Sequence, residues 1–305
     1  MVNNMSKLNA LTITVVANMT SNYSEGLGNV ASIQKVYRNQ KTYGIRSRES
    51  LKNALMVQSG LYDDLQTTVD GAAQKMVATG LSAATCRALE SGYMNTKVKT
   101  DSGDATYVRR SSFYLTDAIA MAPFINDARF HNNLHLATTQ AKQEGLNVQL
   151  DAAKVGLMPF QYEYDKSFKT YSLTVDLERV GVDENYNEEA SNEEKAYRVT
   201  ALLDAVKDLS LVVKGNLDNA EPLFVIGGLS KRKTHYFENV VHMKNQELIL
   251  SDDLKAKLAE GFSCGLLRGG DFSNEEEIAV TLGAKSVAAF FEDLKKDVTD
   301  YYSAK

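Results

Sequence analysis

Tyr43-Gly44-Ile45-Arg46-Ser47-Arg48-Glu49-Ser50-Leu51-Lys52 reads as a short extended run that turns into a helix, with cations and hydroxyls gathered around the turn. A helix start leaves backbone N–H groups unpaired and carries a partial positive charge, so a phosphate can dock there. Arg46, Arg48 and Lys52 add full charges, and Ser47 and Ser50 add hydroxyl donors. The cations continue upstream as Lys35, Arg38 and Lys41. Residues 26–62 thus hold six cations against the lone acid Glu49, in a chain whose formal net charge is -5. Such local inversion suits a groove for a phosphodiester chain on an otherwise acidic protein. A solvated charged face is the other reading of this window; the strand-to-helix junction and the scarcity of neighbouring carboxylates favour binding.

Working outward, 305 residues at 44% hydrophobic and 24% charged suffice for one large or two modest domains with a sizeable core. Only three Pro and a modest 19 Gly argue against linkers and for one compact body with excursions. A pI near 5.5 speaks against indiscriminate binding to nucleic acid or anionic membranes but leaves a focused site open. Cys86 and Cys264 are far apart and lack a CxxC partner, so neither a disulfide scaffold nor a thiolate metal site is expected. Residues 1–10 contain no apolar signal core and no apolar run is long enough to span a bilayer. The expected location is the cytoplasm, with no membrane partner.

Leu11, Ile13 and Val15 alternate with Thr12 and Thr14, which predicts a half-buried strand ending near Asn18. Residues 18–29 read as a loop and 32–38 as a second extended piece. Ser47 is the expected N-cap of a helix with Leu51, Ala54 and Leu55 on its inner face. Small residues at helical spacing (Ala72, Met76, Ala83, Ala84) predict short helices over about 66–92. A polar loop through Gly92, Asp101, Gly103 and Asp104 then leads to Arg109-Arg110 and to Phe113, Leu115 and Ile119. Residues 130–155, rich in Asn and Gln, read as an extended excursion, and 160–177 as a strand pair about a turn at 165–167. The acidic stretch 176–194 reads as a solvated loop. Val199, Leu202, Leu203 and Val206 mark an amphipathic helix, and 223–226 a short strand before Gly227-Gly228. Two C-terminal helices break at Gly283.

In order, the central elements are strand, helix, insertion, strands, helix, strand. That is the βαββαβ plan of an α+β, ferredoxin-like fold, shared with RNA-recognition (RRM) modules, although the RNP1 aromatic signature is missing.

Most other constellations carry little chemistry. His131 and His135 are four apart, but the glutamate of HExxH is absent, and His235 and His242 have no ligand spacing. No metal or cofactor is expected. Gly227-Gly228-Leu229-Ser230-Lys231 fails the phosphate-loop pattern GxxxxGK[ST]. It fits better a loop that lets backbone approach a polyanion, with Lys231, Arg232 and Lys233 behind it. Asp101 and Asp104 alone are weak support for Mg²⁺-assisted phosphodiester cleavage. No GxSxG is present and no catalytic residue is assigned.

Several short motifs recur in a telling order. They are Asn18 before a loop, Ser47-Arg48-Glu49-Ser50-Leu51-Lys52, Gly92-Tyr93-Met94, Arg109-Arg110-Ser111, and Thr116-Asp117-Ala118-Ile119-Ala120. The strand over 168–177, the helix over 199–209 and a Gly-Gly turn at 227–228 follow. In this arrangement the chain resembles the DevR-type backbone subunit of type I, subtype I-B-like CRISPR Cascade effector complexes, within the RAMP superfamily. The resemblance implies a right-hand shape. A ferredoxin-like palm would take residues 1–57 with 162–305, inserted helical fingers 58–124, and an extended thumb 125–161.

It also implies a non-catalytic subunit that polymerises along a CRISPR guide RNA, each palm gripping the sugar–phosphate chain and each thumb displacing a base at intervals. The implied grip falls on Asn18, Arg38, Arg46, Ser47, Arg48, Ser50 and Lys52; Lys231, Arg232 and Lys233 join them from the glycine-loop reading. A wedge needs an apolar tip, which selects Phe130, Leu134 or Met158. Implied partners are the guide RNA, the target DNA strand paired through it, further copies of the chain, and the large, end-capping and guide-processing endonuclease subunits. Related subunits that cut RNA place an Asp in the loop after the first strand; here that loop has only Glu25, so cleavage is not expected. The rival readings are a metal-dependent RAMP endoribonuclease and a stand-alone RNA-binding regulator. Phosphate contacts carry no sequence information, which suits a subunit that must accept any guide, while base pairing supplies specificity.

Overall fold

A computed structural model describes residues 8–24, 29–70, 74–77, 80–100 and 103–305. The alternating stretch at 11–15 becomes strand β1 (Ala10–Thr20), followed by β2 (Val30–Ala31), β3 (Lys35–Arg38), β4 (Lys41–Arg46) and helix α1 (Arg48–Gln58). Two hairpins come next, β5 (Thr67–Asp70) with β6 (Gln74–Val77), and β7 (Tyr93–Thr100) with β8 (Gly103–Arg109), joined through a 3₁₀ turn at Arg87–Ser91. Short strands β9 (Phe113–Leu115) and β10 (Ala118–Ala120) precede an excursion made of β11 (Ala128–His131), α2 (Leu134–Glu144) and β12 (Phe160–Glu163).

The long strand β13 (Lys166–Asp176) leads to β14 (Val182–Asp183), β15 (Glu188–Glu189), α3 (Asn192–Lys207), β16 (Ser210–Val213), β17 (Asn216–Asn219) and β18 (Pro222–Ser230). The last section holds β19 (Met243–Lys244), β20 (Glu247–Leu248), α4 (Asp252–Leu258), β21 (Ser263–Leu266), α5 (Glu275–Leu282), β22 (Lys285–Ser286) and α6 (Val287–Ser303).

The principal sheet has the order β22-β21-β18-β1-β13-β10-β4-β3, with β9 also paired to β13. β1 is its centre. It pairs antiparallel with β13 from Ala10–Asp176 to Thr20–Lys166, and with β18 on its other side. Leu11, Ile13, Val15, Ala17 and Met19 join Tyr171, Leu173 and Val175 in one core. Residues of α1, α3 and α6, among them Leu51, Val199 and Phe290, close it. The opposite face of β1 is also buried. There the Thr14 and Ser172 hydroxyls lie 2.7 Å apart, and Val16 enters a second core with Phe224, Phe237, Leu254 and Ile278. The strand expected to be half-buried is therefore enclosed on both sides, with Thr12 and Thr14 facing the Thr174 and Ser172 hydroxyls on the neighbouring strand.

Gly227 and Gly228 do not form the expected turn; both lie in β18. A Cβ on Gly227 would stand 2.0 Å from the Thr12 carbonyl oxygen, so close strand packing requires glycine there. Ser47, Ser191, Ser251 and Ser286 cap α1, α3, α4 and α6 with their hydroxyls. Gly283, at φ 59°, ends α5 as expected.

Several expectations need correction. In its described residues the stretch 66–92 forms one short 3₁₀ helix at Arg87–Ser91 and otherwise strands and turns, and Gly92 leads into the β7–β8 hairpin rather than a loop. The described insertion after α1 is thus built mainly from hairpins, with a single 3₁₀ turn, in place of the expected helical fingers. Ala72, Asp101 and Glu25 lie outside the described residues. Conversely, the excursion contains α2, which was not expected. Its buried side chains are only Ala137 and Ala141, so its apolar periodicity is faint. β12 and β13 do not pair with each other: β12 joins β11 and β2, while β13 joins the principal sheet. The acidic stretch is not simply solvated, because Asp176 and Asp183 are buried. No described helix is long and apolar enough to cross a membrane.

Candidate nucleic-acid interface

The strand-to-helix junction folds as expected, but most of its groups are already occupied. Ser47 Oγ accepts the Ser50 N–H, while Asn22 Oδ1 takes the Ser47 N–H at 2.7 Å and Asp117 Oδ1 the Arg48 N–H at 2.8 Å. Arg46 is only 4% exposed. Its Nε donates to the Thr20 carbonyl at 3.0 Å and its Nη1 to Ser50 Oγ at 2.8 Å, whereas Nη2 is buried without a hydrogen-bond partner among the described residues. Burial lowers its pKa. Lys52 Nζ donates to the Ser91 carbonyl and to Ser111 Oγ, both at 3.0 Å, and lies 4.6 Å from the Phe113 ring centroid. Burial pushes that ammonium down to about 8. Arg48 remains exposed, 2.8 Å from its neighbour Glu49.

The surplus of cations counted from the sequence therefore overstates the free charge at the surface. Asp117 and Glu163, remote in sequence, supply carboxylates that a local window cannot see; Lys35 lies 2.6 Å from Glu163. Beneath Arg46, Asp218 Oδ2 accepts the Thr20 N–H at 2.9 Å and also the Thr20 hydroxyl. Lys169 Nζ binds Asp165 Oδ2 at 2.8 Å and the Met19 carbonyl at 2.9 Å. This buried polar cluster fixes the end of β1, next to the junction.

The open surface near the junction is a groove of about 290 Å³ between β4, β10 and β13 on one side and residues 238–243 on the other. Arg38, Tyr43, Asp117, Ser172 and His242 line it. Arg38 is exposed and lines the groove, whereas Arg48 lies outside its lining and only its backbone N–H meets the groove residue Asp117. Asn18 is half-buried near the end of β1, its Oδ1 having no hydrogen-bond partner among the described residues.

Lys231, Arg232 and Lys233 stand elsewhere. They follow Ser230, which pairs with Ala10 at the opposite end of β1 from Thr20. Eleven strand residues separate the two ends by roughly 34 Å. Lys233 is held 2.8 Å from both Asp176 and Glu178, and the Arg232 guanidinium sits 5.0 Å from the Tyr236 ring centroid.

The three apolar tips of the excursion are all exposed, Phe130 at 64%, Leu134 at 49% and Met158 at 62%. Asn133 brings two of them together: it accepts the Met158 N–H at 2.7 Å and donates to the Gly156 carbonyl at 2.8 Å, directly before Leu134. His131 lies on β11 and His135 on α2, so they do not share a helical face. Among the described residues no group of three or more His, Cys, Asp or Glu could hold a metal ion.

A family model described as CRISPR-associated negative auto-regulator DevR/Csa2 matches residues 89–246. No curated protein sequence matches the chain. Among solved structures, a chain described as "CRISPR RNA-guided surveillance complex, pre-nicking" superposes with a TM-score of 0.55 at 10% identity, over 92% of this chain and 100% of that one. Another, described as "CRISPR RNA-guided surveillance complex", gives a TM-score of 0.52 at 13% identity, over 93% and 98%. At these identities the likeness speaks for the fold. With the model spanning more than half of its length, the chain belongs to the DevR/Csa2 family of CRISPR-associated proteins.

Proposed function

We propose that the chain is a non-catalytic backbone subunit of a Cascade-type surveillance complex, binding CRISPR guide RNA by its sugar–phosphate chain and lining up with further copies along it. One observation carries the reading: the fold likeness takes in 92% of this chain and the whole of a chain described as RNA-guided surveillance complex. In this reading the palm is ferredoxin-like. The antiparallel neighbours β18, β1, β13 and β9, with α1 and α3 packed on one face, support that assignment. Residues 58–124 and 125–161 are then the two insertions, and the excursion is the thumb.

Within the grip, Arg38, exposed at the groove, and Arg48, exposed at the start of α1, are the direct phosphate partners. Arg46, Ser47, Ser50 and Lys52 shape the turn that presents them. Lys231 and Arg232, at the far end of β1, engage RNA where it crosses toward the next copy. Phe130, Leu134 and Met158 form the apolar tip that separates stacked bases. Sequence readout is left to pairing between guide and target.

The test is purification from the native host followed by sequencing of bound RNA. Several copies of the chain with one RNA population of uniform length, carrying variable spacers, are expected. The family description as an auto-regulator favours a second reading, a stand-alone RNA-binding regulator. Recovery of a single copy on one defined transcript would select it. Material free of RNA, alone and with companion subunits, would defeat both.

A further inference from the structure

We propose that the aromatic face of the three-stranded sheet β11-β12-β2 is a stacking platform for unpaired bases of single-stranded RNA. The proposal rests on the RNA-binding reading and assigns it a site that the phosphate grip does not include. In the β11–β12 ladder Arg129 stands opposite Tyr162 and His131 opposite Phe160, so these four side chains share one face. The alternation of the strand places Tyr164 on the same side.

The rings are ordered as a layer. His131 and Phe160 are stacked with centroids 5.4 Å apart and planes 25° from parallel. Tyr162 lies 4.9 Å from His131, and its hydroxyl is 2.9 Å from His131 Nε2. Tyr23 meets Tyr162 edge-on at 6.0 Å. The buried Tyr162 anchors the layer, while His131 is exposed and Phe160 keeps 42% of its surface open. An exposed ring already held in a parallel stack offers its free face to one more planar group at little ordering cost.

Charge identifies that group. The Arg129 guanidinium sits 3.5 Å from the Tyr164 centroid and Lys214 Nζ 5.0 Å from that of Tyr23. Neither cation forms an ion pair with a described carboxylate, so both remain to meet phosphates while the rings meet bases. Phe130 projects from the other face of the ladder, opposite Gln161, so the platform is distinct from the proposed wedge. Stacking tolerates every base, which suits a subunit that accepts any guide.

The experiment measures binding of the full chain to single-stranded RNA, intact or carrying abasic nucleotides, over a salt series. Phe160→Ala should weaken binding to intact RNA on the order of tenfold without changing the log–log salt slope. Phe160→Trp should restore it and Phe160→Leu should not. His131→Ala, at an exposed position, should show the same kind of loss and guards against a folding defect in the Phe160 variants. On abasic RNA, wild type and Phe160→Ala should bind alike. Equal affinity of wild type and Phe160→Ala for intact RNA, rescue by Leu, or a deficit that persists on abasic RNA would overturn the platform while leaving the phosphate grip standing. Loss of self-association with RNA binding intact would also overturn it, making this face a protein contact. A wild-type chain indifferent to RNA would instead remove the underlying reading together with the platform.

Discussion

Glu90 lies 3.0 Å from the Arg109 guanidinium, and both side chains are almost wholly buried. The other oxygen of Glu90 is 2.8 Å from Arg198 Nη1 and accepts the Gly181 N–H at 2.6 Å. One carboxylate thus joins the 3₁₀ turn, β8, α3 and the loop after β13. Removing it leaves the buried Arg109 guanidinium without that counter-charge and strips Arg198 of one of its two carboxylates, the other being Glu194 at 2.8 Å. Glu90→Ala should cost about 3–5 kcal/mol of stability. Arg110→Ala, at the exposed neighbouring position, should stay within about 0.5 kcal/mol of wild type. Urea unfolding of the two variants separates them.

Lys52 gives the junction a pH signature. Its ammonium sits at about 8 in the folded chain against the ordinary 10.5, because burial disfavours the charge. The unfolded chain therefore binds that proton more tightly between these values, and stability should rise as pH goes from about 8 to about 10.5. Below pH 8 the cost of burying the charge is fully present. Lys52→Met should flatten this rise, as read from thermal midpoints at stepped pH. A wild-type curve no steeper than the variant's through that window would contradict the burial assigned to Lys52.

Arginines near the junction should behave in two ways. Arg48→Ala and Arg38→Ala should each lower the log–log salt slope of RNA binding by roughly 0.7, equally for unrelated sequences, with unfolding unchanged. Arg46→Ala should lower stability by about 2 kcal/mol or more, because the Thr20 carbonyl and Ser50 hydroxyl lose a buried donor. Titrations at several salt concentrations, paired with melting curves, distinguish a phosphate contact from an internal brace.

Gly227→Ala should be among the costliest single changes in the chain. The added methyl would lie 2.0 Å from the Thr12 carbonyl oxygen and 2.8 Å from Ile13 Cα, both backbone atoms of the central strand. A loss of about 3 kcal/mol or more is expected, with poor recovery of soluble protein. Gly145→Ala, at a helix end with open space around it, should cost about 1 kcal/mol through its left-handed backbone alone.

What the sequence made legible follows from how local each signal was. The Ser47 cap, the face of Leu51 and Leu55, the run from Val199 to Val206 and the stop at Gly283 are written in adjacent residues, and each appears where expected. The hairpins after α1 were misread because Ala83 and Ala84 mimic helical spacing, while the alternation of Thr96, Val98 and Thr100 is thin. Helix α2 was hidden by the smallness of Ala137 and Ala141, although Gly145 at its end was a usable stop signal. The site was legible only in part. Arg46, Arg48 and Lys52 are identical in kind as sequence, and what separates them is Thr20, Asp117 and Ser91, brought close by the fold. The ring layer of His131, Phe160 and Tyr162 depends on a register across thirty residues of intervening chain that no local pattern encodes.

The central place of β1 has a consequence for biosynthesis. Its two neighbours are residues 166–176 and 222–230, so β1 acquires its last partner some two hundred residues after it leaves the ribosome. At about 5–20 residues per second, that wait is on the order of ten seconds or more. Throughout it the nascent chain trails an unpaired β-edge with Leu11, Ile13, Val15 and Met19 on one side. A stalled or prematurely terminated product is thus a template for aggregation, and chaperone capture during translation is where this chain is most vulnerable.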